Sequence, residues 1–359
     1  MAINLHSKYA KQISNKFVRE SLTAGRLSND YSWAGVQTVR ITTLTTVPMV
    51  DYKRSGTNRY GIPREMEDTV QEMTLSQEKG FALTIDHGNY VDQSELKEAG
   101  RALSLQIKER AIPSMDKYVF ATLAMKAGNI VGNSTKLTKD NICARITEGT
   151  TVMDDAEVPD TGRTLFVPSA VYALLKQSRE FLEIDRLGEK AVAKGQVGSY
   201  DNMPVVKVPK GRWPLNVNFL IVYKNAATAP VKLNDTSLHK DPPGIGGYLI
   251  QGRQYYDCFV FGAKCDGVYV EVDTAAGAGT VLAAPTIDAA TGAITVAEGA
   301  SCKYTTDGSD PRYSKSAKVG TTVVAGEGET IKAYAFKDGV FPSGVAEAEV
   351  AVSGAKSAA

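Results

Sequence analysis

The residue types that could carry chemistry are few and scattered along the chain. Asp307 and Asp310 flank Gly308 and Ser309, and carboxylates at this spacing could offer oxygen ligands to Ca²⁺. A Ca²⁺ site needs about six to eight oxygen ligands, however, and Asp-Gly and Asp-Pro pairs form turns on their own. The pattern therefore favours a turn, and we predict no metal-binding residue.

The histidines and cysteines give no stronger signal. His87 follows Asp86 at the end of a predicted strand, but a lone histidine beside a helix start is far more often a surface or capping residue. Four cysteines lie along the chain without metal-ligand spacing: Cys143, Cys258, Cys265 and Cys302. There is no GxSxG elbow, Walker loop or HExxH helix. We therefore predict free, partly buried thiols and a non-enzymatic protein with no catalytic residue and no cofactor.

Length and composition are those of an ordinary globular protein. The 359 residues suggest two or three domains, and 43% of them are apolar and 23% charged. A net charge of +1 gives no global reason to expect a nucleic-acid or anionic-membrane ligand. The start of the chain lacks a signal-peptide pattern, and no apolar run approaches the roughly 18 residues of a membrane span. We expect a protein that is made and kept in the cytosol unless something larger carries it out.

A long helix over residues 92–127 is predicted to organise the chain. Asp92 and Glu95 form a capping box at its start. Apolar residues then recur at helical spacing on both sides of Pro113: Leu96, Ala99, Leu103, Ile107, Met115, Val119 and Leu123. Because the stripe resumes after the proline, we predict a kink and not an end, in a helix about 50 Å long. An alternating strand over 81–86 precedes it.

Two β-rich runs, at 36–44 and 70–77, predict an extended hairpin over residues 36–80. Isolated hairpins are marginally stable and long loops are uncommon unless they have a function. The charges between the strands nearly balance, which favours ion-paired contact with another copy over a nucleic-acid backbone; the alternative is a flexible surface loop. The predicted intersubunit contacts are Tyr52, Lys53, Arg54, Arg59, Tyr60, Arg64, Glu65 and Glu67.

The remaining chain divides into further segments. Residues 1–35 read as an arm with a short amphipathic helix, which packs either on its own domain or on a neighbour. Residues 81–272 form a mixed α/β core, with helices at 139–157 and 169–178 and glycine-rich connections at 128–138 and 240–247. Its later strands are predicted at 203–208, 219–224, 255–263 and 267–272. A flexible linker at 273–284, a small β-sandwich at 285–353 and a tail at 354–359 follow.

Several of these segments resemble those of tailed-phage major capsid proteins. The similar residues are the strand at 81–86, the helical Pro113-x-x-Asp116-x-Tyr118 segment, and the segments 162–167 and 221–224. The resemblance covers residues 1–272 and implies an α+β fold with an N-terminal arm, an extended β-loop, a spine helix at 92–127, and peripheral and axial regions. Some members crosslink a loop lysine to an asparagine, but Lys53 has no identifiable partner here, so no crosslink is carried over.

The resemblance also implies a function and partners. Such a protein would self-assemble as hexamers and pentamers of an icosahedral shell, in the host cytoplasm, and would reside in the virion. It would enclose DNA without sequence-specific binding and without contacting a membrane. Scaffolding, portal and decoration proteins are possible partners.

A second resemblance lies at the C-terminal end. The block Tyr304-Thr-Thr-Asp-Gly-Ser-Asp-Pro311, with 331–335 and 339–343, resembles the immunoglobulin-like module of chitobiase-type glycosidases and bacterial surface proteins, the fibronectin-III-associated type. This implies a β-sandwich with Tyr304 pointing inward and a turn at 307–311. We expect it on the outer surface of the shell, on a linker too flexible for a fixed interface, with possible weak glycan contact. The fold alone does not imply that the module cleaves sugars.

Two other functions stay open on the sequence alone. A carbohydrate-binding or carbohydrate-active protein is suggested by the C-terminal module, although no acid and nucleophile pair is visible. An encapsulin-like nanocompartment shell would share the capsid fold and enclose an enzyme instead of DNA.

Overall fold

The computed structural model describes residues 21–31, 33, 37–44, 49, 51–60, 68–86, 99–178, 196–244, 246–275, 278–288, 290–323 and 329–350. Several predictions lie outside this part of the chain. They concern residues 1–20 of the arm, the capping pair Asp92 and Glu95, His87, and the hairpin residues Arg64, Glu65 and Glu67.

Helices are α1 (Ala99–Gln106), α2 (Ile112–Met125), α3 (Ile142–Asp155) and α4 (Ser169–Leu175), with a π-helical segment Ile107–Ala111 between α1 and α2. Three short 3₁₀ turns lie at Lys210–Arg212, Lys224–Ala226 and Gly262–Gly267.

Strands β1 to β9 are Thr38–Leu44, Asp68–Thr74, Gln77–Asp86, Asn129–Asn133, Arg163–Pro168, Gln196–Tyr200, Met203–Val208, Val217–Tyr223 and Ala227–Thr228. Strands β10 to β19 are Val231–Lys240, Gly247–Tyr256, Phe259–Val260, Val268–Asp273, Thr286–Ile287, Ile294–Thr295, Ser301–Thr305, Lys318–Val319, Thr330–Phe336 and Ala346–Glu349.

A six-stranded mixed sheet, in the order β4-β13-β8-β5-β7-β6, forms the centre of the core. Helix α2 covers one face, where Phe120 and Leu123 pack with Phe166 of β5. Helices α3 and α4 cover the other face, where Ile146 packs with Ile221 of β8. Because both faces are buried, the sequences of the central strands are nearly continuous apolar runs and do not alternate between apolar and polar residues.

The long helix is continuous through the described residues 99–125, about 40 Å at 1.5 Å per residue. The predicted interruption at Pro113 takes the form of the π-helical segment just before it. Pro113 has no N–H to donate, and wider π-helical hydrogen bonding is one way in which a helix accommodates such a break. The backbone at Gln106, Ala111 and Ile112 keeps right-handed helical angles, so the helix does not end there.

The hairpin and a second small sheet adjoin this core. Strands β1 and β2 pair antiparallel from Thr38↔Thr74 to Leu44↔Asp68, which is the predicted extended loop. Strand β3 continues from β2 and pairs with β11, which in turn pairs with β10. The order β10-β11-β3 makes a three-stranded antiparallel sheet.

One connection was predicted wrongly, and a second was predicted correctly but without the strands that it joins. Residues 128–138 contain the edge strand β4, which pairs parallel with β13. Residues 240–247 include the ends of β10 and β11 as well as the turn that joins them. Strands β4 and β10 were missed for a physical reason: β4 is short and only half-buried, and much of β10 is exposed, so both lack the apolar alternation that marks a half-buried strand.

The C-terminal module contains the two-stranded sheet β14-β15 and the four-stranded sheet β17-β16-β18-β19. Its core includes Ile294, Cys302, Ile331 and Ala333, and Tyr304 packs against them. Asp307 accepts hydrogen bonds from the backbone N–H (3.0 Å) and hydroxyl of Ser309, so this aspartate acts as a turn former, as predicted.

The expectation that this module has no fixed interface is wrong for the described residues. Arg312 donates from Nη1 to the carbonyls of Ala127 (3.1 Å) and Gly128 (2.6 Å), just beyond the end of α2. Tyr313 donates its hydroxyl to the carbonyl of Lys126 at 2.5 Å. Phe341 belongs to the same apolar cluster as α2, and Val281 of the predicted linker packs against that cluster. The domain boundaries themselves stay a prediction.

We expect Arg312→Ala to loosen this interface and to lower the free energy of unfolding by about 2–4 kcal/mol, because two carbonyls and the Asp310 carboxylate lose their charged partner. Hydrogen exchange should accelerate in the last turn of α2 and in the module. The matched control is Lys318→Ala, since Lys318 is exposed on the edge strand β17. Equal exchange in the two variants would contradict the interface.

Candidate functional site

A buried carboxylate on the long helix joins the N-terminal segment to the core. Asp116 is fully buried on α2. Its Oδ1 accepts hydrogen bonds from the hydroxyls of Ser21 (2.8 Å) and Thr23 (3.1 Å), and its Oδ2 accepts one from the backbone N–H of Leu22 (3.0 Å). This single side chain therefore fixes the point at which the arm meets the helix.

The charge of Asp116 is balanced by a buried cation. Arg212 Nη1 lies 2.8 Å from Asp116 Oδ2, and the arginine side chain is only 7% exposed. A buried carboxylate is tolerated when it is paired and fully hydrogen-bonded, and Asp116 meets both conditions. Helix α2, the arm and the 3₁₀ turn before β8 are thus held at one point.

Two residues further along α2, Tyr118 makes a second junction. Its hydroxyl donates to Asp257 Oδ1 at 2.7 Å, and Asp257 Oδ2 accepts from the backbone N–H of Ser76 at 2.7 Å. Ser76 lies between β2 and β3, where the hairpin joins the core. Burial, and then the neighbouring Asp257 carboxylate, raise the pKa of Tyr118, so its hydroxyl stays protonated as a donor.

The Pro-x-x-Asp-x-Tyr segment noted in the sequence is therefore a structural joint. Its aspartate holds the arm and its tyrosine holds the base of the hairpin. Sequence reasoning identified these residues only by resemblance, since their partners are distant in the chain and carry no local pattern.

The hairpin base rests on its own apolar cluster. Trp33, Met73, Leu75, Phe259 and Phe261 pack together there, and the Trp33 and Phe259 rings stack at 5.8 Å.

Trp33 is 3% exposed, and Trp213 on the main core donates its indole N–H to the Val217 carbonyl at 2.7 Å. Both tryptophans are packing anchors, and neither offers an open ring to a sugar.

The hairpin tip, residues 51–60, is an ordered but exposed turn. The backbone N–H of Lys53 donates to the Arg59 carbonyl at 3.0 Å, and the Tyr52 and Tyr60 rings meet edge to face at 4.9 Å. Residues Tyr52 and Tyr60 are 51% and 85% exposed, and Met49, two positions before the tip, is 99% exposed. The structure thus brings together five of the eight predicted contact residues; Arg64, Glu65 and Glu67 lie outside the described part.

A surface ion-pair network connects the hairpin to the C-terminal module. Glu72 of β2 lies 2.6 Å from Arg40 of β1 and 2.8 Å from Lys315 of the module. The backbone N–H of Lys315 also donates to the Val70 carbonyl at 3.1 Å. The hydrogen bond from Lys315, with Arg40 beside it, lowers the pKa of Glu72. Sequence analysis missed this contact because the partners lie in segments predicted to be independent.

The cysteines form no reactive site in the described residues. All four are buried and free. Burial raises the pKa of Cys258 and of Cys265 to about 12, so both stay as unreactive thiols near neutral pH.

Within the described ranges, no group of three or more His, Cys, Asp and Glu residues is arranged to hold a metal ion. No helix in those ranges is long and apolar enough to span a membrane.

Comparison with solved structures identifies the fold. The chain is similar to a structure from Mycobacterium phage Che8 (17% identity, 76% of this chain and 100% of that one, TM-score 0.56). It is also similar to the capsid structure of the cyanophage P-SCSP1u (12% identity, 75% and 93%, TM-score 0.59) and to the head structure of Helicobacter pylori bacteriophage KHP40 (13% identity, 75% and 94%, TM-score 0.55). The described chain therefore has the phage capsid fold, and the predicted fold class is confirmed.

The C-terminal module is identified separately. Residues 293–350 match the family described as Fn3 associated. This agrees with the resemblance seen at residues 304–311. No curated protein matches the sequence.

Asp116→Asn should lower the free energy of unfolding of the unassembled subunit by about 3–5 kcal/mol, because the buried guanidinium of Arg212 would lose the carboxylate with which it pairs. The backbone amide of Leu22 should lose protection from hydrogen exchange. Asp155→Asn removes an exposed carboxylate from α3 and should change stability by no more than about 0.5 kcal/mol. A similar loss in both variants would contradict the role of Asp116.

The lowered pKa of Glu72 gives a pH prediction. The ion pair with Lys315 stabilises the fold fully above the ordinary pKa of 4.5, and the stabilisation is lost as pH falls through the lowered pKa. In an NMR titration, Lys315→Met should move the pKa of Glu72 back up towards 4.5. Lys318→Met should leave it where it is; an unchanged pKa in Lys315→Met would show that the pair does not form.

Proposed function

We propose that the protein is a phage major capsid protein, many copies of which assemble into an icosahedral shell around DNA. The phage capsid fold supports a structural role. The proposed partners are other copies of the same chain, which would form hexamers and pentamers. Scaffolding, portal and decoration proteins belong to the same proposal, as does assembly in a host cytoplasm.

The observation that carries the proposal is the contrast between the base and the tip of the hairpin. The base is fixed to the core through Asp257 and the Trp33 cluster, and to the C-terminal module through Glu72, whereas the tip presents Tyr52 and Tyr60 to solvent. Among the described residues, no charged side chain of the tip forms an ion pair. An ordered, amphipathic tip on a rigid base is suited to a neighbouring subunit.

The C-terminal module is proposed to lie on the outer surface. Residues 285–353 contain six Lys and Arg and nine Asp and Glu residues. A net negative module is repelled by the phosphate backbone, so it would oppose DNA packaging if it faced inward.

A nanocompartment shell shares the fold and is the alternative function. Nuclease-protected DNA inside purified particles distinguishes a capsid from such a compartment.

The tip is tested with the double variant Lys53→Glu, Arg54→Glu. Arg59 is retained because its side chain donates to the Gly56 carbonyl at 3.2 Å and supports the turn. Exposed ion pairs contribute about 0.2–1 kcal/mol each, so losing two of them at every contact should raise the critical assembly concentration about tenfold. Particle yield is measured by sedimentation across a concentration series.

The matched control is Lys318→Glu, Lys337→Glu, which reverses two exposed charges on the module. Both double variants should keep the unfolding midpoint of the parent subunit. Wild-type assembly by the tip variant, or equal loss in the control, would contradict the proposed role of the tip.

A further inference from the structure

A cleft lies where the C-terminal module meets the end of the long helix. It has a volume of about 380 Å³ and is bounded by Met125 and Lys126 on one side and by β16, β18 and the turn 337–342 on the other. This volume falls in the range of about 300–1,000 Å³ that is typical of small-ligand sites. Arg312 and Tyr313, which dock the module, also line it.

The outer face of the module's sheet is aromatic inside this cleft. Along β18, Ile331, Ala333 and Ala335 point into the module's core, so Tyr334 and Phe336 point the other way. The Tyr334 and Phe336 rings lie 5.8 Å apart and are tilted by 35°. A polar outer face would be ordinary for an exposed sheet, so this aromatic pair is the unusual feature.

Three lysines line the cleft. Lys303 Nζ lies 5.6 Å from the Phe336 ring centre and Lys337 is exposed, whereas Lys126 Nζ lies 5.8 Å from the ring centre of Phe259 in the hairpin-base cluster. Within the described residues, none of these three ammonium groups forms an ion pair, whereas Arg312 is paired with Asp310 at 2.7 Å. Asp338 is the acidic side chain among the lining residues. The cleft is therefore locally positive on a module that is negative overall.

We propose that this cleft binds a carboxylated sugar residue of a glycan. The apolar face of a sugar ring can lie on the aromatic side chains, its carboxylate can pair with the lysines, and its hydroxyls can bond to Tyr334 and Asp338. A nucleic-acid strand fits less well, because it needs a basic groove that follows several phosphates and open rings for successive bases. The residues that line the cleft offer one aromatic pair and a few lysines, and not a groove of that length.

The test measures binding to the full-length unassembled subunit by isothermal titration calorimetry. The probe is a hyaluronan tetrasaccharide, which contains glucuronate, and the neutral comparison is a chitin tetrasaccharide. The cleft lies within one subunit, so the result does not depend on assembly. Hyaluronan should bind at least about tenfold more tightly than the neutral sugar, as a charge-assisted pair is worth about 1.5–3 kcal/mol.

The variant Lys303→Gln, Lys337→Gln should weaken hyaluronan binding about tenfold. The control Lys139→Gln, Lys318→Gln removes two exposed lysines outside the cleft and should leave it unchanged. All these lysines are at least partly exposed, so both variants are expected to keep the parent unfolding midpoint. Equal binding of acidic and neutral sugars, wild-type binding by the cleft variant, or tighter binding of a thymidine octanucleotide would overturn the proposal.

Discussion

The buried carboxylate of Asp116 is the constraint on which the rest of the molecule depends. A fully buried charge is costly, and here four donors from the arm and from Arg212 satisfy it. The loss of any of these donors would remove a hydrogen bond from the buried carboxylate. The helix, the arm and the approach to β8 are therefore fixed together.

A second set of hydrogen bonds, from Tyr118 to Asp257 and from Ser76 to Asp257, holds the base of the hairpin to the same helix. The C-terminal module is attached to both, since Arg312 caps the carbonyls beyond the helix end and Lys315 meets Glu72 on the hairpin. Core, hairpin and module thus share one frame. A shell subunit benefits from such a frame because it must present its contacts at a reproducible angle to many neighbours.

The sequence predicted the features that leave a local pattern. The long helix, the alternating strand at 81–86, the paired runs of the hairpin and the buried runs near 165 and 220 all follow from periodicity. The strands β4 and β10 were missed because the one is short and half-buried and the other is mostly exposed, so neither shows that periodicity. The docking of Arg312 and the pairing of Asp116 with Arg212 were missed because they join distant segments, and nothing in the local sequence records a long-range ion pair. Residues 273–284 were predicted to be a flexible linker, so the packing of Val281 on the core was not foreseen.

The central claim is that the rigid base and exposed tip of the hairpin serve a closed shell. Its most direct test is electron microscopy of the purified full-length protein, with molar mass measured by light scattering on the same sample. The account predicts uniform closed particles built from many copies of the 38.5 kDa chain. A stable monomer of 38.5 kDa under every assembly condition, including in the presence of any scaffolding partner, would contradict it.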